Sequence, residues 1–552
     1  MNYVNYINNK HQMRNEFVIF ALLSTLVTLA LGWFVSSAWY WVFLGLGPIL
    51  LLGFYDFFQN KQAIARNFPL MGRSRYIAEW LRPKIYQYFI ESDTDGKPFP
   101  RIARNVIYQR AKGDLDTAPF GTQLDVYANG FEWMNHSIGA LDHHDLDHHP
   151  RLMVGEKNCS QKYSCSILNV SAMSFGSLSS RAVLSLNGGA KLGEFAHNTG
   201  EGGISPYHLQ EGGDLIYQIG TGYFGSRASD GNFSDELFAE RTEKPSVKMI
   251  EIKLSQGAKP GHGGILPAKK VTQEIANIRN IEMGKDVISP PYHKAFNNPI
   301  GLMQFVKRCR VLSNGKPIGL KLCIGQKSEF IALCKAMLET GITPDFIAID
   351  GGEGGTGAAP LEFSNSVGMP FVEGLAFAYD ALIGFNLKKD IKLFGSGKIA
   401  SGFDIFRAIS LGADGCYSAR AMMMALGCIQ ALECNHNTCP TGVTTQNKEL
   451  IRGLNVEDKT NRVKRYHNET VKAFVELMAA AGISDPDEIN RVHVSRRISQ
   501  NEVKRFDEIY PYIPEGCLLS ELSTPDDWKQ IMAMGVAESF TPRFREVFIE
   551  KD

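Results

Sequence analysis

Cys428, Cys434 and Cys439 follow one another with the spacing C-x5-C-x4-C, and Pro440 comes directly after the third. Thiolates this close in sequence can ligate one centre. Three without an equally placed fourth suit an iron–sulfur cluster with one open iron corner, a 3Fe–4S cluster. Cys416 or Cys165 would complete a four-iron cluster instead. Zinc held by the same three cysteines and His436 is the competing use of these residues. The chain has 10 cysteines, and in a reducing compartment such bunching favours metal ligation over disulfides. The others, including Cys159, Cys309, Cys334 and Cys517, read as ordinary thiols.

A second group of residues joins charge to glycine. Glu201 sits in Asn198-Thr199-Gly200-Glu201-Gly202-Gly203, where a partly desolvated carboxylate can work as an acid or base. Lys253 and Lys259 lie in one stretch that ends Gly261-His262-Gly263-Gly264. Two ammonium groups beside one pocket can hold an anion or stabilise negative charge on a reduced ring. Lys321 interrupts an otherwise apolar run, and a lysine buried there needs an anionic or polar partner. The carbonyl edge of a flavin or a buried carboxylate would serve. Residues 171–177 are small enough for a flat ring to lie against them. The 53 glycines gather in runs such as residues 351–357, as they do where backbone approaches a ligand. Gly397 and Gly402, then Ser418-Ala419-Arg420, have the make-up of a phosphate cradle, with Arg420 supplying charge.

The elements that must position these groups are short. From about residue 160, β-rich runs alternate with helical patterns, at residues 166–171, 194–198, 247–254, 286–289, 318–323, 345–350, 391–395 and 414–418. Eight runs, mostly with room for a helix between them, predict an α/β fold with a closed (β/α)8 barrel. Residues 218–220 make a ninth run, assigned to an insertion. Active sites of such barrels lie at the C-terminal ends of the strands, with phosphate often held after the seventh and eighth.

Residues 17–55 carry no charge. At about 1.5 Å per residue, one helix of that length would be nearly twice a ~30 Å hydrocarbon core. Two spans are predicted, 17–35 and 38–55, turning at Ser36-Ser37, where Trp33, Trp39, Tyr40 and Trp41 gather as interfacial aromatics do. Lys10 and Arg14 precede the pair, and Lys61 and Arg66 follow it. Basic flanks on both sides put both ends in the cytoplasm, so the expectation is a two-pass anchor in the cytoplasmic membrane with a cytoplasmic catalytic body. Lys plus Arg and Asp plus Glu each total 58, which leaves no electrostatic footprint for nucleic acid. Residues 142–149 read Asp-His-His-Asp-Leu-Asp-His-His. These are metal-ligand types, but the run reads as a solvated loop ending at Pro150. The expected divisions are a cytoplasmic segment 1–16, membrane helices in 17–55, an extension 56–159, the barrel with its cysteine loop 160–450, and a charged helical region 451–552.

Residues 171–177, 198–203, 251–264, 350–360 and 428–446 together resemble the FMN-binding domain of glutamate synthases. The match is closest to the stand-alone FMN-binding glutamate synthase family, and it covers roughly residues 160–450. The resemblance implies FMN in the barrel and a 3Fe–4S cluster on Cys428, Cys434 and Cys439 that passes electrons to it. Ala172, Met173 and Ser174 would line the flavin, and Lys321 would face its N1 edge. Gly351, Gly352, Gly355 and Gly357 would border it, and Gly397, Ser418 and Arg420 would hold its phosphate. Glu201 matches the glutamate beside the substrate, Lys253 and Lys259 the paired lysines, and Arg279 the arginine that grips the 2-oxoglutarate carboxylate. Two positions depart from the family. Ile265 stands where glutamate synthases have a Gln that touches 2-oxoglutarate, and His262 where they have Glu.

The implied activity is reductive amination of a 2-oxo acid, 2-oxoglutarate to glutamate first, or its reverse. N-methylglutamate synthase-like transfer and a membrane-anchored electron carrier are the alternatives. Asn2 follows Met1, with no cysteine as a terminal nucleophile, and no glycine-rich β-helical domain follows. Nitrogen is therefore expected from a separate amidotransferase or from ammonia, and electrons from an unidentified donor.

Overall fold

The computed structural model describes residues 13–255, 264–354 and 359–544. Lys259, His262, Gly355 and Gly357 lie outside them. The chain forms two compact units, Met1–Pro100 and Arg101–Asp552.

In the first unit, α1 (Met13–Phe34) and α2 (Phe43–Phe58) are joined by a 3-10 turn, Ser37–Val42. Ser36 caps that turn by accepting the Ala38 N–H. The helices run antiparallel, because Arg14 at the start of α1 donates to the Phe57 carbonyl at the end of α2. Phe17 also packs edge-on against Phe54. Leu22, Leu23, Leu26, Leu44 and Leu51 point outward and are exposed, as are Trp33 and Trp41 by the turn. Segments Met13–Phe34 and Ser37–Phe58 are each long and apolar enough to cross a membrane. Both run a few residues past the predicted spans. The extension of α2 carries Asp56, fully buried and paired with Arg73 at 2.7 Å, so the charge is neutralised where it lies.

The second unit is built on eight strands: β1 (Leu168–Val170), β2 (His197–Asn198), β3 (Leu215–Ile219), β4 (Val247–Lys253), β5 (Ile318–Cys323), β6 (Phe346–Asp350), β7 (Lys392–Ser396) and β8 (Gly415–Ser418). They close into a parallel barrel in chain order, with β8 pairing back to β1. The expected count of eight holds, with one member exchanged. The run at 218–220 belongs to β3 of the barrel, and 286–289 lies outside it. The β2–β3 crossover has only a four-residue helix, Pro206–Leu209, too short to signal a βα unit. Val287–Ile288 pairs antiparallel with Ile265–Leu266 in the long insertion after β4.

A hairpin of Arg151–Val154 and Tyr163–Ser166 closes one end. Its Val154, Tyr163 and Cys165 pack against Ile216, Met249, Phe346, Phe394 and Tyr417. Burying each large apolar side chain is worth about 1.5–3 kcal/mol, which makes this end a packed plug and leaves the strands' C-terminal ends as the mouth. Around the barrel lie α3 (Arg101–Lys112), α4 (Ser180–Gly193), α5 (Gln273–Arg279), α6 (Gly402–Ser410), α7 (Arg420–Leu426) and α8 (Val456–Ala480). The buried face of α8, Val463, Tyr466, His467, Thr470, Phe474 and Met478, has the three- and four-residue spacing of a helix packed along one side; α8 packs on α3, α4 and α7. The region after residue 450 is not helical throughout. Val494–Ser499 pairs with Glu502–Arg505 and with Glu132–Met134 in a three-stranded antiparallel sheet.

Candidate active site

Glu201 is delivered to the mouth by a tight turn after β2. Gly200 there has φ of +64°, and a Cβ on it would stand 2.8 Å from the Ser174 amide nitrogen. Lys253, the last residue of β4, donates to Glu201 Oε2 at 3.0 Å. Gly220 and Gly264 leave room for the carboxylate, since a Cβ on either would collide with it. Arg279, at the end of α5, completes the group. It is 4% exposed, donates from Nη2 to the Phe175 carbonyl at 3.1 Å, and lies 5.1 Å over the Phe224 ring. Burial pulls its pKa down to about 10, against the charge of nearby Glu201, so it is a cation at neutral pH. Among the described residues, its Nε has no partner. A buried donor left unmade costs about 1–3 kcal/mol, and a planar guanidinium is suited to a carboxylate. The structure thus brings Glu201, Lys253 and Arg279 together.

Beneath them the barrel interior is charged. Glu251, two residues before Lys253 on the same face of β4, accepts from Asn198 Nδ2 at 2.8 Å and Gln218 Nε2 at 2.6 Å. Its burial raises its pKa. Lys321 lies in register with Lys253 and reaches Ser171 Oγ at 3.2 Å and Asp350 at 3.3 Å. Burial lowers the Lys321 pKa, but the charges of Asp350, Glu251 and Glu201 outweigh it and the net shift is upward. Among the described residues its anionic partner is a protein carboxylate, Asp350, one of the two kinds of partner its burial calls for. Glu251 and Gln218 escaped notice in the sequence, although a Glu two residues from a Lys in an apolar strand signals a shared inward face.

The remaining expected positions divide. Ala172 and Ser174 are partly exposed beyond β1, whereas Met173 is 3% exposed, with its carbonyl accepting from His208 Nε2. The amides of Gly351 and Gly352 are spent on the carbonyls of Ser396 and Met369, and Gly397 packs directly under Phe371. The Ser418 hydroxyl donates to the Ile399 carbonyl at 2.7 Å. Gly402 packs closely on α8: a Cβ there would stand 2.6 Å from the Phe474 amide. The N-terminus of α6 is already capped, because Asp404 accepts the N–H groups of Ala400 and Ser401. Arg420 opens α7 and donates to the Glu353 carbonyl at 3.0 Å, tying the 351–354 loop to the end of β8.

The cysteine loop begins where α7 ends. Gly427, at φ +112°, turns the chain into Cys428, whose carbonyl accepts from Tyr108 of α3 at 2.8 Å. Burial pushes the Cys428 thiol up to about 12. Burial also raises Cys439, but hydrogen bonds with Thr441 and Thr444 outweigh it and lower that thiol's pKa. Lys270 is a residue the sequence reading missed. It is 4% exposed and donates to the Ser177 carbonyl at 3.2 Å and the Thr444 carbonyl at 2.8 Å. Burial lowers its pKa, outweighing the neighbouring Cys434 and Cys439, which raise it, and the Lys270 amine is buried beside two of the three thiols. In sequence it is the second of a Lys pair, indistinguishable from surface charge; the 3-10 turn Ala268–Lys270 turns it inward. Gln446 bonds the carbonyls of Gly176 and Leu178, which fastens the cysteine loop to the loop after β1. Cys165 belongs to the plug at the other end of the barrel. Among the described residues, the group of ligand atoms lying within 4.8 Å of one another is a histidine trio elsewhere.

Residues 123–484 match the family model described as the conserved region in glutamate synthase. The chain is 37% identical over 503 residues to the glutamate synthase large subunit-like protein YerD of Bacillus subtilis, covering 84% of this chain and 95% of that one. It is 35% identical over 316 residues to the archaeal glutamate synthase (NADPH) of Methanocaldococcus jannaschii, covering 57% of this chain and 59% of that protein. It is 33% identical over 361 residues to the glutamate synthase (NADPH) large chain of B. subtilis, of which it spans 22%. The flavin-binding domain of baker's yeast flavocytochrome b2 aligns with a TM-score of 0.40 and 13% identity, over 77% of this chain and 85% of that one.

Proposed function

Since the chain belongs to the glutamate synthase family, we propose that it is an oxidoreductase acting on CH–NH2 groups, which interconverts a 2-oxo acid and its amino acid, with 2-oxoglutarate and glutamate the leading pair. The observation that carries this reading is the unpartnered Nε of buried Arg279 beside the Glu201–Lys253 pair. An anionic substrate supplies the acceptor that Arg279 lacks. With the carboxylate held there, the α-carbon faces Glu201, which moves a proton at the substrate nitrogen. Lys253 fixes the position of that carboxylate. A carrier that only passed electrons would need neither Glu201 nor Arg279.

FMN would be held at the mouth by Ala172, Ser174 and Lys321, and its phosphate by the backbone at Gly397 and Ser418 with Arg420. A 3Fe–4S cluster would be held by Cys428, Cys434 and Cys439, with Lys270 beside the latter two to offset negative charge. When bound, FMN supplies hydride and the cluster supplies electrons singly. In this reading a separate amidotransferase or ammonia supplies nitrogen and an unidentified donor supplies reductant; the chain spans about 59% of the archaeal relative it matches. Ile265 is partly buried in the strand that pairs with Ile288, in place of the family's Gln. That difference favours a second reading, in which another 2-oxo acid or an N-alkyl glutamate is used. The exposed apolar faces of α1 and α2, with basic residues on both flanks, support a two-pass anchor in the cytoplasmic membrane.

The test is anaerobic. Photoreduced protein is mixed with 2-oxoglutarate and ammonium while flavin absorbance and glutamate are followed. Oxidation of the flavin with equimolar glutamate is expected, and oxidation that is equally fast without a 2-oxo acid contradicts the reading.

A further inference from the structure

We propose that His143, His144 and His148 form a binding site for a divalent transition metal of the zinc and nickel class, apart from both the Glu201 site and the cysteine loop. One nitrogen of each imidazole lies within 4.8 Å of the other two. Ligand nitrogens about 2.0–2.1 Å from a tetrahedral zinc stand roughly 3.3 Å apart, so side-chain rotation alone brings the three onto one ion. The His143 and His144 rings are already 4.0 Å apart at their centroids, and His148 stands edge-on to His143 at 5.9 Å. A second observation points to a ligand. His143 Nδ1 is shielded from water and has no hydrogen-bond partner among the described residues, although buried polar atoms are ordinarily paired.

The backbone holds the three rings on one side. Asp142 Oδ1 accepts the His144 N–H at 2.9 Å, and Asp147 Oδ1 accepts the His149 N–H at 2.8 Å. The segment is anchored at its two ends as well. The Leu141 N–H donates to the Ala479 carbonyl at the end of α8, and the Pro150 carbonyl accepts from Ile167, one residue before β1. A metal here pins the segment that leads into the plug hairpin. Three neutral imidazoles select borderline cations over magnesium or calcium, which take oxygen ligands, and three protein ligands leave one position to water.

The experiment titrates chelator-treated holoprotein with Zn2+ by calorimetry, in wild type and in His143→Ala, His148→Ala and His149→Ala. His149, next in sequence and outside the trio, is the control. All of these rings are partly or fully exposed, and an unchanged flavin spectrum checks folding. His144→Ala, at a fully exposed ring, replaces any variant that fails this check. The expected result is one zinc equivalent per chain that weakens about tenfold or more in the trio variants and persists in His149→Ala. Zinc should also raise the thermal midpoint only where that equivalent binds. The proposal is overturned if wild type takes up no more zinc than His148→Ala. It is equally overturned if His149→Ala loses the equivalent too, which would make the run a nonspecific histidine sponge.

Discussion

Lys253 Nζ and Glu201 Oε2 meet at 3.0 Å, so the last residue of β4 and the loop after β2 share one ion pair across β3. Both side chains are mostly covered, 11% and 21% exposed, and a covered pair holds its geometry better than a surface one. Glu201→Gln keeps the shape of the side chain and removes its basicity. Turnover is expected to fall about 10²–10⁴-fold with the flavin spectrum unchanged; activity within threefold of wild type would remove Glu201 from the chemistry.

Arg279 is expected to act on binding. Arg279→Ala removes a buried charged hydrogen-bonding group, a loss of about 2–4 kcal/mol, which is roughly 30- to 1000-fold in KM for the 2-oxo acid. Arg279→Lys keeps the charge but not the planar fork and should fall between. Steady-state kinetics that showed loss in kcat alone would contradict a carboxylate-holding role.

Lys270 places a positive charge beside Cys434 and Cys439. Such a charge favours the reduced, more negative state of an iron–sulfur centre. Lys270→Met is therefore expected to move the cluster's potential in the negative direction in an EPR-monitored titration, and Lys270→Arg to move it less. Iron content separates this from simple loss of the cluster. An unchanged potential in a fully loaded Lys270→Met protein would leave Lys270 as a mere tie between Ser177 and Thr444.

Acid stability should show the cost of burying neutral imidazoles. His208, His293 and His467 are each pulled by burial to about 4. In the unfolded chain they titrate near 6.5, so below that pH the unfolded state takes up protons that the native state refuses. Stability is fully present above pH 6.5 and is lost as the pH falls toward 4, by about 2 kcal/mol per group at pH 5. Denaturant melts at pH 7 and pH 5 measure it; equal stability at the two would contradict the neutral burial of these rings.

Much of the site was legible because barrels put chemistry just past their strands. Glu201 lies just past an apolar run, Lys253 near the end of one, and Lys321 stands out by interrupting one. The third strand was misplaced because β2 and β3 are joined without a full helix, and a β-branched pair at Val287–Ile288 took its place. Lys270, and the clearance that Gly220 and Gly264 give Glu201, were out of reach for another reason. They depend on segments distant in sequence meeting in space, and nothing local distinguishes a buried lysine from an exposed one. Gly402 is ambiguous in sequence because close helix packing and close ligand approach place the same demand on a glycine.

The most direct measurement is made on protein purified without oxygen. Its acid-released cofactor and its EPR spectrum are read from one preparation. The account predicts about one FMN per chain and an iron–sulfur signal that disappears in Cys439→Ser while the flavin stays. A colourless protein that takes up no FMN when it is offered would contradict it.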